Sequence, residues 1–215
     1  MSKAKLSVSV LESTEDLSKA VLQALLPDVQ KYFDKIYNTI DKNIPNILIE
    51  SIAAQPEYTA LLNGTLQYEF GIPDPAQRVG DILDTIRAGG FIKNKPVSIR
   101  GNTLVAGITL QMIRSDFEDL LSLGSASIET EKGTSLNWLQ WLLLAGDSII
   151  ISDHMFILGP SQYSRTGMGI MRENKNAFWR VPPEYAGDIN NNWITRAIDQ
   201  ASSSIDSELT SLLNI

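Results

Sequence analysis

Cysteine is absent from the 215-residue chain, and histidine occurs once, at position 154. Without thiols there is no disulfide, no thiolate-held zinc and no cysteine nucleophile, so a bound metal would depend on oxygen ligands and at most one imidazole. Long apolar runs are missing too. The run Trp141–Gly146 falls far short of the roughly 18–20 residues that a membrane helix requires, so no span is expected. The N-terminus, MSKAKLSVSVLESTEDL, has no apolar block of signal-peptide length, so synthesis in the cytoplasm without export is expected. Basic residues are the minority, 18 Lys and Arg against 25 Asp and Glu, for a net charge of −7. That balance argues against a broad phosphate-neutralising surface wrapped on duplex nucleic acid. The acid excess is evenly spread, so charge does not divide the chain, and no internal repeat or low-complexity segment occurs.

The chain does have enough apolar material for a core, 43% hydrophobic with 20% charged residues. The pattern predicts an α+β protein, with a small antiparallel sheet core packed with helices, a long N-terminal helical region over residues 1–55, and a C-terminal amphipathic helix closing the core of residues 56–215. Ser13-Thr14-Glu15-Asp16 suits a helix start, with Leu17, Val21, Leu22 and Leu25 at helical spacing. Pro27 is expected to interrupt that helix and open a second, whose stripe runs from Val29 through Ile36, Ile40 and Ile44 to Leu48, with a kink or break at Pro45. The stripe requires a cover, either the β-core of its own chain or the same element of a neighbour. A short helix over 57–62 should end at Asn63-Gly64. Leu66, Tyr68 and Phe70 alternate with polar residues as a half-buried strand would. Pro75 to Ala88 reads as a helix closed by Gly89-Gly90, 97–99 and 104–113 as strands around a turn, Asp116–Leu123 as a helix capped by Ser115, and 126–130 as a strand before a turn at 131–133.

Trp138–Ala145 is apolar at nearly every position and predicts a buried helix stopped by Gly146-Asp147. Ser148–Leu158 is rich in branched and aromatic residues and predicts a strand ended by Gly159-Pro160. A polar loop holding Tyr163, Ser164 and Arg165 leads to an extended run over 166–171. A polar turn and a short aromatic strand ended by Pro182-Pro183 should follow, then a helix capped by Asn190 or Asn192 and running toward Leu213.

None of this chemistry points to catalysis. His154 beside Asp153 is the one available imidazole base, yet no serine has a nucleophile elbow around it. Asp116, Glu118 and Asp119 fit a helix N-terminus better than a metal site. Gly167-Met168-Gly169 lacks the spacing and context of a phosphate loop, which leaves turn or packing roles. Arg165, Arg172, Lys175 and Arg180 gather near Phe178 and Trp179, a basic-aromatic group that suits a solvated loop, a subunit contact or contact with DNA.

Four phrases carry a resemblance: LNGTLQYEFGIPD at Leu62–Asp74, WLQWLLLAGD at Trp138–Asp147, SRTGMGIM at Ser164–Met171, and WRVPPEYAG followed by NNWITRAI. With the order of elements, they make the chain resemble the neck proteins of tailed bacteriophages, the tail-completion or head-tail connector family. The resemblance implies a small α+β domain without enzymatic activity or cofactor. It implies a ring, commonly six-fold, placed in the virion between the portal-side connector and the tail terminator or tail tube. Genomic DNA would pass through the ring, and no membrane would be involved. Arg165, Arg172, Lys175, Trp179 and Arg180 would then be candidates for contact with neighbouring subunits or with DNA. A tail terminator or other tube-capping protein is the alternative within phages, and a hydrolase using His154 the alternative outside them. The N-terminal helical region exceeds what a minimal member of the family needs.

Overall fold

The computed structural model describes residues 13–89, 92–110, 117–130 and 133–213. It is a mixed α and β fold with small antiparallel sheets, a long N-terminal helix and a C-terminal helix. The expected Ser115 cap and the turn at 131–132 lie outside the described residues.

The first helix, α1, runs unbroken over Thr14–Ala53. Its start follows the sequence signal, for Ser13 Oγ accepts from the Asp16 backbone N–H at 3.2 Å. The breaks expected at Pro27 and Pro45 correct to one continuous helix. Each proline removes one donor, to the carbonyls of Gln23 and Asp41, and both of those residues are exposed, so water can satisfy the orphaned oxygens. Burial of Ile36, Ile40, Ile44, Leu48 and Ile52 offsets the loss. At about 1.5–3 kcal/mol for each buried aliphatic side chain, that row outweighs two prolines costing about 3 kcal/mol each.

The chain forms two compact units, one of Met1–Asp41 with Ile92–Gln111 and the other of Lys42–Phe91 with Met112–Ile215. In the first, β1 (Ile92–Arg100) and β2 (Thr103–Leu110) form a hairpin with a bulge between Lys95 and Ser98. At that bulge the Val97 N–H is released from the ladder and donates to Gln30 Oε1 at 2.8 Å, while Tyr37 Oη donates to the Ile92 carbonyl.

The second unit is mostly helical. After α1 come α2 (Pro56–Asn63), α3 (Thr65–Phe70) and α4 (Pro75–Ala88). The segment expected as a strand at Leu66–Phe70 is α3, because six residues with Leu66 and Phe70 inward satisfy a helical i, i+4 face as well as an alternation. Gly71 in the left-handed region, φ 67°, closes α3. Then follow α5 (Glu118–Leu121), a 3-10 turn at Gly124–Ala126, the short pair β3 (Ile128–Glu129) and β4 (Ser135–Leu136), and α6 (Trp138–Leu143). The strands β5 (Ile151–Pro160) and β6 (Met168–Trp179) make a long hairpin, and α7 (Trp193–Leu213) ends the fold.

Trp138, Leu139, Leu142 and Leu143 of α6 have no exposed surface, so this stretch is core as its composition implies. The Phe70 ring packs beside Trp138, Trp141 and Trp179, with Trp179 edge-on at 5.6 Å between centroids. Asn192 caps α7, its Oδ1 accepting from the Ile194 and Thr195 N–H groups, and its amide donates to the Leu143 and Asp188 carbonyls. The end of α1 is tied to α7 by Ser51 Oγ donating to the Ala197 carbonyl and by Gln55 to Gln200.

Candidate functional site

Residues 172–177 read as a polar turn before a separate strand, but β6 is one strand from Met168 to Trp179. Its polar residues are strand residues of a hairpin exposed on both sides, where nothing selects against Arg, Glu, Asn or Lys. The ladder pairs Ile151 with Trp179 and Ser152 with Phe178, then resumes at His154 with Glu173. Asp153 therefore stands against Asn174, Lys175, Asn176 and Ala177 in a wide bulge. Asp153 and Asn176 both take positive φ there, 56° and 68°, and the Asn176 N–H donates to Asp153 Oδ1 at 3.2 Å.

Beyond the bulge the hairpin curls back over α3. Its tip is tightly bonded, with the Ser161 N–H donating to the Gly167 carbonyl at 2.9 Å and the Ser164 and Thr166 hydroxyls hydrogen-bonded to each other at 3.2 Å. From this tip Arg165 Nη2 donates to the Phe70 carbonyl at 3.3 Å. The guanidinium rests where a side chain at Gly71 would stand, since a Cβ there would lie 2.8 Å from Nη2. At the hairpin base, Trp179 Nε1 donates to Glu69 Oε2 at 3.2 Å. Both ends of the hairpin thus attach to the last turn of α3, and between them lies a cleft of about 340 Å³ lined by Tyr68, Glu69, Phe156, Tyr163, Arg165 and Met171. Burial pushes the Glu69 carboxyl above the usual range, with Glu184 adding to the rise and the Trp179 indole opposing it.

The five residues singled out in the sequence separate here. Arg165 is exposed at the tip, Arg172 and Lys175 are exposed along β6, and Arg180 is half-buried just past it. Trp179 is different: at 8% exposure, packed on Phe70 and bonded to Glu69, it is a core side chain with little surface left for a partner. Of the four basic residues, Arg165 lines the cleft beside α3. Register places Met155 with Arg172 and Ile157 with Ile170, so Met155, Ile157 and Arg172 share the outer face while Phe156 and Met171 line the cleft. Met155, Ile157, Leu158 and Phe178 are all more than a third exposed, and Tyr163 at the tip is 85% exposed.

Compared with known proteins, the chain matches no family model, no curated protein and no solved structure.

His154 Nδ1 lies 2.9 Å from the Ser152 carbonyl, and among the described residues no serine hydroxyl bonds to the ring. Among the described residues no three His, Asp or Glu side chains are grouped to hold a metal ion, and no helix is long and apolar enough to cross a membrane. The chemistry available at the hairpin is recognition: apolar side chains interleaved with guanidinium and ammonium groups on a scaffold held at both ends. Sequence reasoning missed Glu69 and the exposed row Met155, Ile157 and Leu158. The alternation of Met155 and Ile157 with Phe156 was a usable signal for the row, whereas nothing local marks Glu69 as the partner of an indole far along the chain.

Proposed function

We propose that this chain is a structural protein of the neck of a tailed bacteriophage, joining the head-side connector to the tail and contributing to the channel through which the genome passes. The observation that carries the reading is the β5–β6 hairpin, 10 and 12 residues long, whose outer face keeps Met155 and Ile157 exposed beside Arg172, with Leu158 exposed next to them. A two-stranded hairpin is marginal in water by itself, and an apolar row on it has a physical reason when another protein surface covers it. The four phrases of the sequence resemblance supply the identity of the assembly, and an acid-rich chain with local basic positions suits a ring in which a weak positive patch is repeated around an axis.

The test is inactivation of the gene in a phage that carries it, followed by electron microscopy of lysates. The expected result is filled heads and separate tails of normal length that fail to join. Normal infectious particles, or purified virions lacking the protein by mass spectrometry, would falsify the reading. Tails of irregular length in place of unjoined ones would move the protein to the tube-capping role.

A further inference from the structure

Two apolar surfaces in this chain lie open, and each contains one uncompensated charge of opposite sign. On α1, Leu17, Val21 and Leu25 are 42%, 57% and 47% exposed. At 100° per residue they fall within one narrow stripe of the helix, and Asp28 continues that stripe just beyond Leu25. Asp28 has no ion pair or side-chain hydrogen bond among the described residues. Next to the upper end of the stripe a groove of about 360 Å³ is lined by Leu17, Val21, Leu22 and Asn102 among others. On the β5–β6 hairpin the outer face holds Met155 and Ile157, with Leu158 exposed next to them, and the cation on that face is Arg172, paired across the ladder with Met155 and likewise without an ion pair among the described residues.

We propose that the outer face of the β5–β6 hairpin of one copy docks on the α1 stripe of a second copy, with Arg172 meeting Asp28 and the hairpin tip entering the groove beside Leu17. The inference rests on the reading of the chain as an assembly protein and names the surfaces through which it assembles. The spacings agree. From Asp28 back to Leu17 is eleven helical residues, about 16 Å at 1.5 Å each. From Met155, opposite Arg172, to Pro160 at the start of the tip is five strand residues, again about 16 Å at 3.3 Å each. Placing the ion pair therefore places the tip at the groove, and Ile157 comes opposite Leu25. Charge favours the same match: residues 151–180 hold four basic and two acidic side chains in a chain of net −7, so the hairpin is attracted to surfaces of its own kind of chain. A nucleic-acid backbone would pair with Arg172 but would leave Met155, Ile157 and Leu158 without an apolar partner, which makes it the weaker occupant. Because the two surfaces are different, each contact leaves a free hairpin at one end and a free stripe at the other, and such head-to-tail contacts close into rings when the rotation allows.

The absence of cysteine gives a clean experiment on the full chain. Leu25→Cys and Ile157→Cys are prepared separately and treated with a short bis-maleimide, alone and after mixing at low concentration. Covalent dimers are expected in the mixture and not in either variant alone. In parallel, Arg172→Asp and Asp28→Arg should each weaken self-association, followed by light scattering, about tenfold, and the combined variant should recover most of it. Dimers of Leu25→Cys alone as abundant as in the mixture would make the contact helix to helix and overturn the proposal. So would association unaffected by both charge reversals, or a monomer at every concentration. Duplex DNA that binds the wild type and is lost with Arg172→Asp while self-association is unchanged would hand the face to nucleic acid. Virions that contain the protein without this cross-link overturn the contact and leave the neck reading standing; the cross-link in a protein missing from virions does the reverse.

Discussion

Glu57 has no exposed surface, yet it is an acid, and its environment meets only half its needs. One carboxylate oxygen accepts from Arg196, while Oε2 has no hydrogen-bond partner among the described residues. Burial raises its carboxyl above the ordinary 4.5, against the lowering by its own backbone N–H and by Arg196. A carboxyl that holds its proton more tightly folded than unfolded contributes stability below the unfolded value, and that contribution is lost as pH rises through the folded one. Glu57→Gln cannot titrate, so the unfolding free energy of the variant minus that of the wild type should grow as pH rises above 4.5, measured by denaturant titration at several pH values. A difference that stays flat would remove burial as the controlling effect. Glu57→Ala should instead cost about 2–4 kcal/mol at neutral pH, because it leaves a cavity and takes from half-buried Arg196 its carboxylate partner, leaving only the bond to Asn191. None of this was legible in the sequence, where Glu57 reads only as an acid in the first turn of a short helix.

Elements with strong local signals were legible, and those whose local pattern fits two structures were not. The helix α4 follows from Pro75 at its start and inward Val79, Ile82, Leu83 and Ile86, and α7 begins at the cap residue Asn192. The alternation in α3 misled because Leu66 and Phe70 are four residues apart as well as members of an i, i+2 series. In α1 two prolines outvoted a longer apolar row, and in β6 exposure of both faces removed the pattern by which a strand is read. The curl of the hairpin rests on glycine positions that a sequence offers only as turns. Gly169 has φ 84° and faces the Phe156 ring, which an added Cβ would strike, whereas Gly167 has φ 76° with nothing near. Gly167→Ala should therefore lower stability by about 1 kcal/mol from backbone strain, and Gly169→Ala by about 2–4 kcal/mol from strain and overlap together. In a Phe156→Ala background the two glycine substitutions should converge in thermal denaturation, and persistence of the gap would deny the contact with Phe156.

At the level of the whole molecule, the apolar residues of the β5–β6 hairpin divide into a buried set and an exposed set. Trp179 is inward, packed against Phe70 and bonded to Glu69, while Ile157 and Leu158 are 37% and 54% exposed. If the outer row exists for a partner, replacing it should leave the isolated fold intact. The double variant Ile157→Ser, Leu158→Ser should keep its unfolding free energy within about 1 kcal/mol of wild type, since neither side chain is buried. Trp179→Ala should lose about 3–5 kcal/mol by emptying the aromatic cluster and freeing a half-buried carboxylate. Assembly should show the opposite order. A phage carrying the double serine variant should accumulate unjoined heads and tails while the purified protein melts as wild type does, a combination that a misfolded subunit cannot give. Melting lowered in step with the assembly defect would mean that the row belongs to the fold of the single chain, and the physical case for an uncovered docking face would go with it.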